Sequence, residues 1–173
     1  SDASIRNQAS KNADENFVTL SDLPHPACTD VESITVQLHT ALDLPNTLTV
    51  VFSTYHSIQV VSQAQELYRQ NTGKEALFDL IICDEAHRTT GVTLAGEDES
   101  AFVKVHDPRF IKAKKRLYMT ATPRLYSESS RARAEEMEAV LCSMDDTQLY
   151  GEEIYRLGFG DAVERNLLSD YKV

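Results

Sequence analysis

Residues 78–91, FDLIICDEAHRTTG, constrain this chain more than any other stretch. The first half is a short apolar run of Phe78, Leu80, Ile81, Ile82 and Cys83, without strict alternation. Such a run suits a strand buried on both faces of a parallel sheet. It stops at two acids, Asp84 and Glu85. In an open α/β sheet, ligands sit beyond the carboxyl ends of the strands. The pattern therefore delivers two carboxylates to the place where such a fold does its chemistry. Acids also follow strands for a plainer reason, since polar residues mark where a strand leaves the core.

The flanking segments predict the rest of an α/β order. Thr29-Asp30-Val31-Glu32 has capping-box spacing and opens a helix over about 30–43. Its apolar face carries Val31, Ile34, Leu38, Ala41 and Leu42, and Pro45-Asn46 ends it. Leu48 to Phe52 reads as a second buried strand, stopping at Ser53-Thr54. A helix over about 55–71 follows, with Ile58, Val61, Ala64, Leu67 and Tyr68 inward and Gly73 as its C-terminal cap. Gly91 to Ser100 reads as an acidic loop and residues 100–105 as a short helix. Leu117-Tyr118-Met119 reads as a third strand, ending at Thr120-Ala121-Thr122. Helices are expected over 127–141 and 161–167, joined by an acidic connector and an extended Ile154 to Leu157. Residues 1–27 read as loop with a short strand at Phe17 to Leu20. Strand, helix, strand, helix, strand is the order of a parallel sheet with crossover helices. The fold class predicted is α/β, a RecA-like sandwich.

Gly73-Lys74 is not a phosphate-cradling loop. That loop needs G-x-x-x-x-G-K-S/T between a strand and a helix. Here Glu75 stands in the Ser/Thr place and the segment follows a helix. The 173 residues contain no other such stretch. Gly158-Phe159-Gly160 is not a dinucleotide fingerprint either, because Val163 stands where a third glycine belongs. The three cysteines, Cys28, Cys83 and Cys142, are too far apart in sequence for a metal or disulfide pattern. A reducing cytoplasm is the expected compartment. No apolar run is long enough to span a bilayer, so no membrane partner is expected.

Three strand ends thus carry candidate chemistry: Ser53-Thr54-Tyr55-His56, Asp84-Glu85-Ala86-His87 and Thr120-Ala121-Thr122. An apolar strand ending in an acid is the Walker B arrangement, whose Asp holds the magnesium of a nucleotide. A neighbouring acid can orient and deprotonate a water. Each short string also has a plain reading. Ser53 and Thr54 can cap the next helix, and TATP can be a turn before proline.

The string DEAHRTTG resembles the DEAH box of superfamily-two helicases and translocases. With ESAFVKVHD, KKRLYMTATPR and the stretch from SMDDTQLYGEEIYRLGFG onward, residues 48–173 look like the helicase-like motor of type ISP restriction–modification enzymes. More distantly they resemble the motors of type I and type III enzymes. The resemblance implies two RecA-like lobes with ATP and Mg2+ between them and DNA across the top. It assigns Asp84 to magnesium, mostly through water, and Glu85 to the attacking water. It assigns His87, Thr120, Ala121 and Thr122 to coupling between nucleotide and DNA, and Ser53, Thr54 and Tyr55 to the DNA backbone.

On that resemblance, residues 1–157 are expected to form the later part of the first lobe, and 158–173 the link to the second. The P-loop is expected before Ser1 and the second lobe's arginines after Val173. The chain is then part of a motor and inactive alone. A net charge of −10 is unusual for a module that binds nucleic acid by itself. The basic run of Arg109, Lys112, Lys114, Lys115 and Arg116 reads as a solvated face or strand entry, with DNA contact as the other reading. The competing reading of the whole is a non-catalytic RecA-like scaffold or partner-binding module.

Overall fold

The computed structural model describes residues 25–44, 48–93, 102–137 and 139–169. The expected strand at Phe17 to Leu20 and the helix stop at Pro45-Asn46 lie outside these residues. The first helix, α1, spans Val31–Leu42. Its cap is Asp30, whose carboxylate accepts the Ser33 N–H at 2.7 Å. The expected capping box from Thr29 is replaced by this shorter, charged cap one residue on.

Helix α2 spans Ile58–Thr72, preceded by a 3₁₀ turn at Tyr55–Ser57. Its inward side is the one predicted: Ile58, Val61, Ala64 and Tyr68 are buried. Gly73 ends it at φ 71°, with its N–H on the Arg69 carbonyl at 2.8 Å. That left-handed backbone favours a residue without Cβ. Helices α1 and α2 pack together where Thr35 meets Ala64. The Thr35 hydroxyl donates to its own helix at Val31 O, 2.7 Å away, and lies 3.4 Å from Ala64 O. Two small side chains let the backbones approach.

Strands β1 (Ile81–Cys83) and β3 (Arg116–Tyr118) pair in parallel, Ile81 opposite Arg116 and Cys83 opposite Tyr118. A bridge from Phe78 to Ala113 extends the pairing backwards. Strands β2 (Gly91–Thr93) and β4 (Val140–Cys142) form a separate antiparallel pair. Helices α3 (Glu128–Glu136), α4 (Thr147–Tyr150) and α5 (Phe159–Glu164) complete the described elements. The core sits between α2 and the parallel pair: Ile58 and Val61 meet Cys83, Ala86, Val105 and Ile111. Phe78, Ile81, Phe110 and Tyr118 close its rim.

One polar side chain is built into this core. Gln65 is 1% exposed. Its amide N–H groups reach Ala76 O at 2.6 Å and Lys112 O at 2.9 Å, and its carbonyl accepts the Lys112 N–H at 3.0 Å. It thereby pairs Ala76 O and the Lys112 N–H, and adds a second donor to Lys112 O, which also accepts the Phe78 N–H at 3.2 Å.

Several expectations are corrected. Leu48 to Phe52 forms no strand: it has no ladder partner among the described residues, and Leu48 is 92% exposed. β1 is not buried on both faces, since Ile82 is 58% exposed while Cys83 is buried. The apolar run is real, but only one side of it meets the core. The loop after Gly91 contains β2, and the helix expected at 100–105 is a 3₁₀ turn at Val103–His106. The long helix expected over 127–141 stops at Glu136, and its last residues become β4. The acidic connector holds α4, capped by Asp146 on the Gln148 N–H at 2.9 Å. The last helix is Phe159–Glu164 rather than 161–167. The α/β class with a parallel pair stands, joined by an antiparallel pair that the sequence did not announce.

Candidate functional site

The parallel ladder does not stop where the strands do. Met119 donates its N–H to Cys83 O at 2.9 Å, and Ala86 donates its own to Met119 O at 2.9 Å. The two strand ends are therefore carried forward together, and the segments after them meet. Between these bonds the chain turns at Glu85, a non-glycine residue at φ 51°, ψ 42°. A 3₁₀ turn, Ala86–Thr89, follows at once, with Arg88 N–H on Glu85 O at 2.9 Å. Ala86 is fully buried, and the Thr89 and Thr90 hydroxyls donate to Ala86 O and His87 O at 2.8 and 2.7 Å. The two threonines thus tie the turn to itself.

The result is one polar constellation. His87 Nδ1 lies 2.9 Å from Thr120 Oγ1, 3.3 Å from Thr122 Oγ1 and 3.3 Å from Glu85 Oε2. The Thr122 N–H donates to Thr120 Oγ1 at 3.1 Å, which folds the TATP turn towards the histidine. A carboxylate only accepts, whereas a hydroxyl donates or accepts. A proton on Nδ1 therefore favours Glu85; a lone pair there favours a threonine hydroxyl. Glu85 is 59% exposed at its side chain and His87 23%, so the acid faces solvent and the ring is half-buried.

Asp84 is exposed, and its Oδ1 accepts the Glu85 N–H at 2.9 Å. Two adjacent carboxylates on an open turn are hard oxygen donors. They suit Mg2+, which keeps most of its waters and takes one or two carboxylates plus phosphate oxygens. Among the described residues no group of three or more His, Cys, Asp or Glu could hold a metal by itself. The donor set thus fits a water-rich magnesium shared with a ligand, and not a closed protein cage.

The first strand-end string is placed beside this site through Tyr55. Its hydroxyl donates to Asp84 O at 2.7 Å. Burial, then the neighbouring Cys83 and Asp84, push its pKa well up, so the hydroxyl keeps its proton and remains a donor. Thr54 caps the 3₁₀ turn, accepting the Ser57 N–H at 3.3 Å and donating to Ser57 Oγ at 3.1 Å. Ser53 donates to Thr54 O at 3.1 Å. These side chains hold the turn, in the manner of the plain capping reading. Ala121 is exposed beside Thr120 and Thr122.

The basic run is a strand entry, much of it paired. Lys112 meets Glu75 at 2.8 Å, Lys114 meets Asp79 at 2.6 Å, and Arg109 meets Asp107 at 3.1 Å. Arg116 donates to Val105 O and Ile111 O at 2.8 and 2.6 Å.

Sequence reasoning did not single out Phe102, which lies 5.4 Å from the Tyr55 ring and 4.7 Å from that of His56, with the Arg88 guanidinium 4.9 Å above it. Nor did it single out His106 and Tyr150. Phe102 and His106 fall inside ESAFVKVHD, and no periodicity marks them. A shallow cavity of about 280 Å³, lined by Arg131, Ala134, Glu135 and Leu141 among others, sits by α3 and β4, away from both acids.

The comparisons agree with one another. The family described as "Type III restriction enzyme, res subunit" matches residues 4–125. The structure of the ATP-dependent type ISP restriction–modification enzyme LlaBIII bound to DNA matches over 90% of this chain, at 45% identity and TM-score 0.62. A nuclease-deletion mutant of the type ISP restriction–modification enzyme LlaGI, in complex with a DNA substrate mimic, matches over 98% at 37% identity and TM-score 0.62. The chain spans 10% and 13% of those two chains. No curated protein matches at a significant level. No helix among the described residues is long and apolar enough to cross a membrane.

Proposed function

Because this chain belongs to the family of the type III restriction enzyme res subunit, as a helicase-like domain similar to that of type ISP restriction–modification enzymes, we propose that it is part of a DNA-dependent ATPase motor. Residues 1–157 form the later part of the first RecA-like lobe, and 158–173 lead to the second. The observation that carries this reading is the contact of His87 with Thr120 and Thr122, which ties the acidic turn to the end of the neighbouring parallel strand. A motor needs a mechanical link between its hydrolysis site and the rest of its lobe. This contact is such a link, made of hydrogen bonds that can be exchanged.

In that reading Asp84 holds Mg2+ through water, and Glu85 orients the attacking water and accepts its proton. Magnesium supplies charge neutralisation at the phosphate oxygens of ATP. His87 moves between the Glu85 carboxylate and the threonine hydroxyls, so a change at the acid is felt at residues 120–122. Tyr55, by its bond to the Asp84 carbonyl, fixes where that turn begins. Ser53, Thr54 and Tyr55 lie on the surface that takes the DNA backbone, where their hydroxyls exchange their bonds to Thr54 O, Ser57 Oγ and Asp84 O for phosphate oxygens, without reading sequence. The phosphates of ATP require a glycine-rich cradle that residues 1–173 do not contain, and the second lobe supplies the opposing arginines. DNA is named in the descriptions of both similar structures. Here it is a proposed partner, with the rest of the parent protein.

The test is ATP hydrolysis by the intact protein, with and without duplex DNA, beside its Asp84→Ala variant. DNA-stimulated turnover that disappears in the variant is expected. Wild-type turnover in the variant, or no turnover in either, would remove the motor reading and leave a non-catalytic module.

A further inference from the structure

Next to the acidic turn lies a polar and aromatic cluster that none of the roles above uses. His106 Nε2 is 3.1 Å from Thr89 O, and its Nδ1 is 2.9 Å from the Tyr118 hydroxyl. A carbonyl can only accept, so Nε2 carries the proton and donates it. In the neutral ring Nδ1 is then an acceptor, and Tyr118 donates to it. Burial, then the nearby Cys83, raise the pKa of Tyr118, which keeps that donor intact. Tyr150, from α4, packs edge-on against both rings, with centroids 4.8 Å from His106 and 4.9 Å from Tyr118. Its hydroxyl lies 3.0 Å from Thr89 Oγ1.

The placement is specific. Thr89 follows His87 by two residues, and Tyr118 precedes Thr120 by two. The His106 ring therefore joins the same two segments that the His87–Thr120 contact joins. We propose that His106 is a positioning residue that fixes the spacing between the acidic turn and the end of β3, with Tyr150 of α4 bracing it. The proposal rests on the motor reading for its functional consequence, and on the hydrogen-bond geometry for its structural one. Movement of α4 would reach the acidic turn through Tyr150 and Thr89 without passing through the nucleotide.

The experiment uses the intact protein and three variants. His106→Ala removes both bonds. His106→Gln keeps one donor and one acceptor at comparable reach, and Tyr118→Phe removes a single hydroxyl. His106→Ala is expected to keep ATP affinity and to lose DNA-stimulated turnover by roughly 10- to 100-fold, the scale of a small misplacement in a site. His106→Gln should recover part of that loss, and Tyr118→Phe should show a smaller loss of the same kind. Unchanged turnover in both His106→Ala and Tyr118→Phe overturns the proposal. So does an equal fall in thermal stability and ATP affinity in His106→Ala that glutamine does not relieve, with Tyr118→Phe at wild-type turnover. Side-chain 15N NMR of His106 reads the geometry independently of activity. A protonated Nε2 and bare Nδ1 are expected, and the opposite tautomer overturns the proposal. An intact wild-type protein without DNA-stimulated hydrolysis would refute the motor reading, while the tautomer would still decide the cluster.

Discussion

His87 and Thr120 are 33 residues apart in sequence and 2.9 Å apart in space, Nδ1 to Oγ1. The contact exists because β1 and β3 run parallel in a register that brings both strand ends to one level. It places an imidazole between an exposed acid and a hydroxyl-rich turn.

The first prediction concerns Glu85. Glu85→Gln keeps size and shape and removes the carboxylate that we propose as the base. In the intact protein ATP binding is expected to persist while turnover falls by roughly 10²–10⁴. Steady-state hydrolysis beside a nucleotide-binding titration checks it. Near-normal turnover would take Glu85 out of the mechanism.

Changing Thr120 and Thr122 together to Ala removes both hydroxyl partners of His87 Nδ1. Movement along DNA is expected to suffer more than basal hydrolysis. Triplex displacement run beside an ATPase assay measures the two. Equal loss in both would make the threonines structural or catalytic instead of coupling residues.

A polypeptide of residues 1–173 alone should fold at least partly and not hydrolyse ATP. Asp84 and Glu85 supply carboxylates only, and two carboxylates repel a polyphosphate unless magnesium intervenes. With a Kd of ~1 mM or weaker, ~1 mM nucleotide stabilises the fold by only about 0.4 kcal/mol, so a melting curve barely moves. Phosphate release that vanishes in Asp84→Ala would show a nucleotide cradle built from other residues.

Gln65→Leu tests the polar core. Leucine fits the volume but leaves Ala76 O and the Lys112 N–H without their buried partner, while Lys112 O keeps the Phe78 N–H. Each stranded group costs ~1–3 kcal/mol, so a loss of roughly 2 kcal/mol or more is expected in denaturant unfolding. A neutral result would mean that water reaches both.

Cys83 gives a pH prediction. Burial pushes its thiol from 9.0 up to about 11, against smaller opposing effects of Tyr55 and Arg116. Between those values the folded state holds a proton that the unfolded state has lost, so stability falls as pH rises through that window. At pH 8 an alkylating reagent should label the exposed Cys28 and spare Cys83, read by peptide mass spectrometry. Equal labelling of both would contradict the burial.

Parts of this were legible in the sequence because they rest on local rules. Gly73, the inward residues of α2 and the acids after β1 follow from turn chemistry, helical period and an apolar run. Leu48 to Phe52 misled because apolar character says nothing about whether a partner strand is in reach. The three residues of β2 are too few to show a period, and they pair with residues that helix propensity had claimed for α3. Gln65 and the His106, Tyr118 and Tyr150 cluster left no trace, since each joins polar groups distant in sequence. The chemistry-bearing strings were readable one by one, and their junction through His87 depends on a register that only the fold supplies.

That register also sets a timetable for synthesis. Residues 84–87 leave the ribosome well before Thr122, the farther partner of His87, 35 positions downstream. A parallel pair closes only after its whole connection has been made, and such non-local pairing is slow. Until β3 emerges, Ile81 and Cys83 have no ladder and the acids have no histidine held beside them. A nascent chain paused between these segments displays an apolar strand with an open edge, which is a surface for chaperone capture or for pairing with another chain.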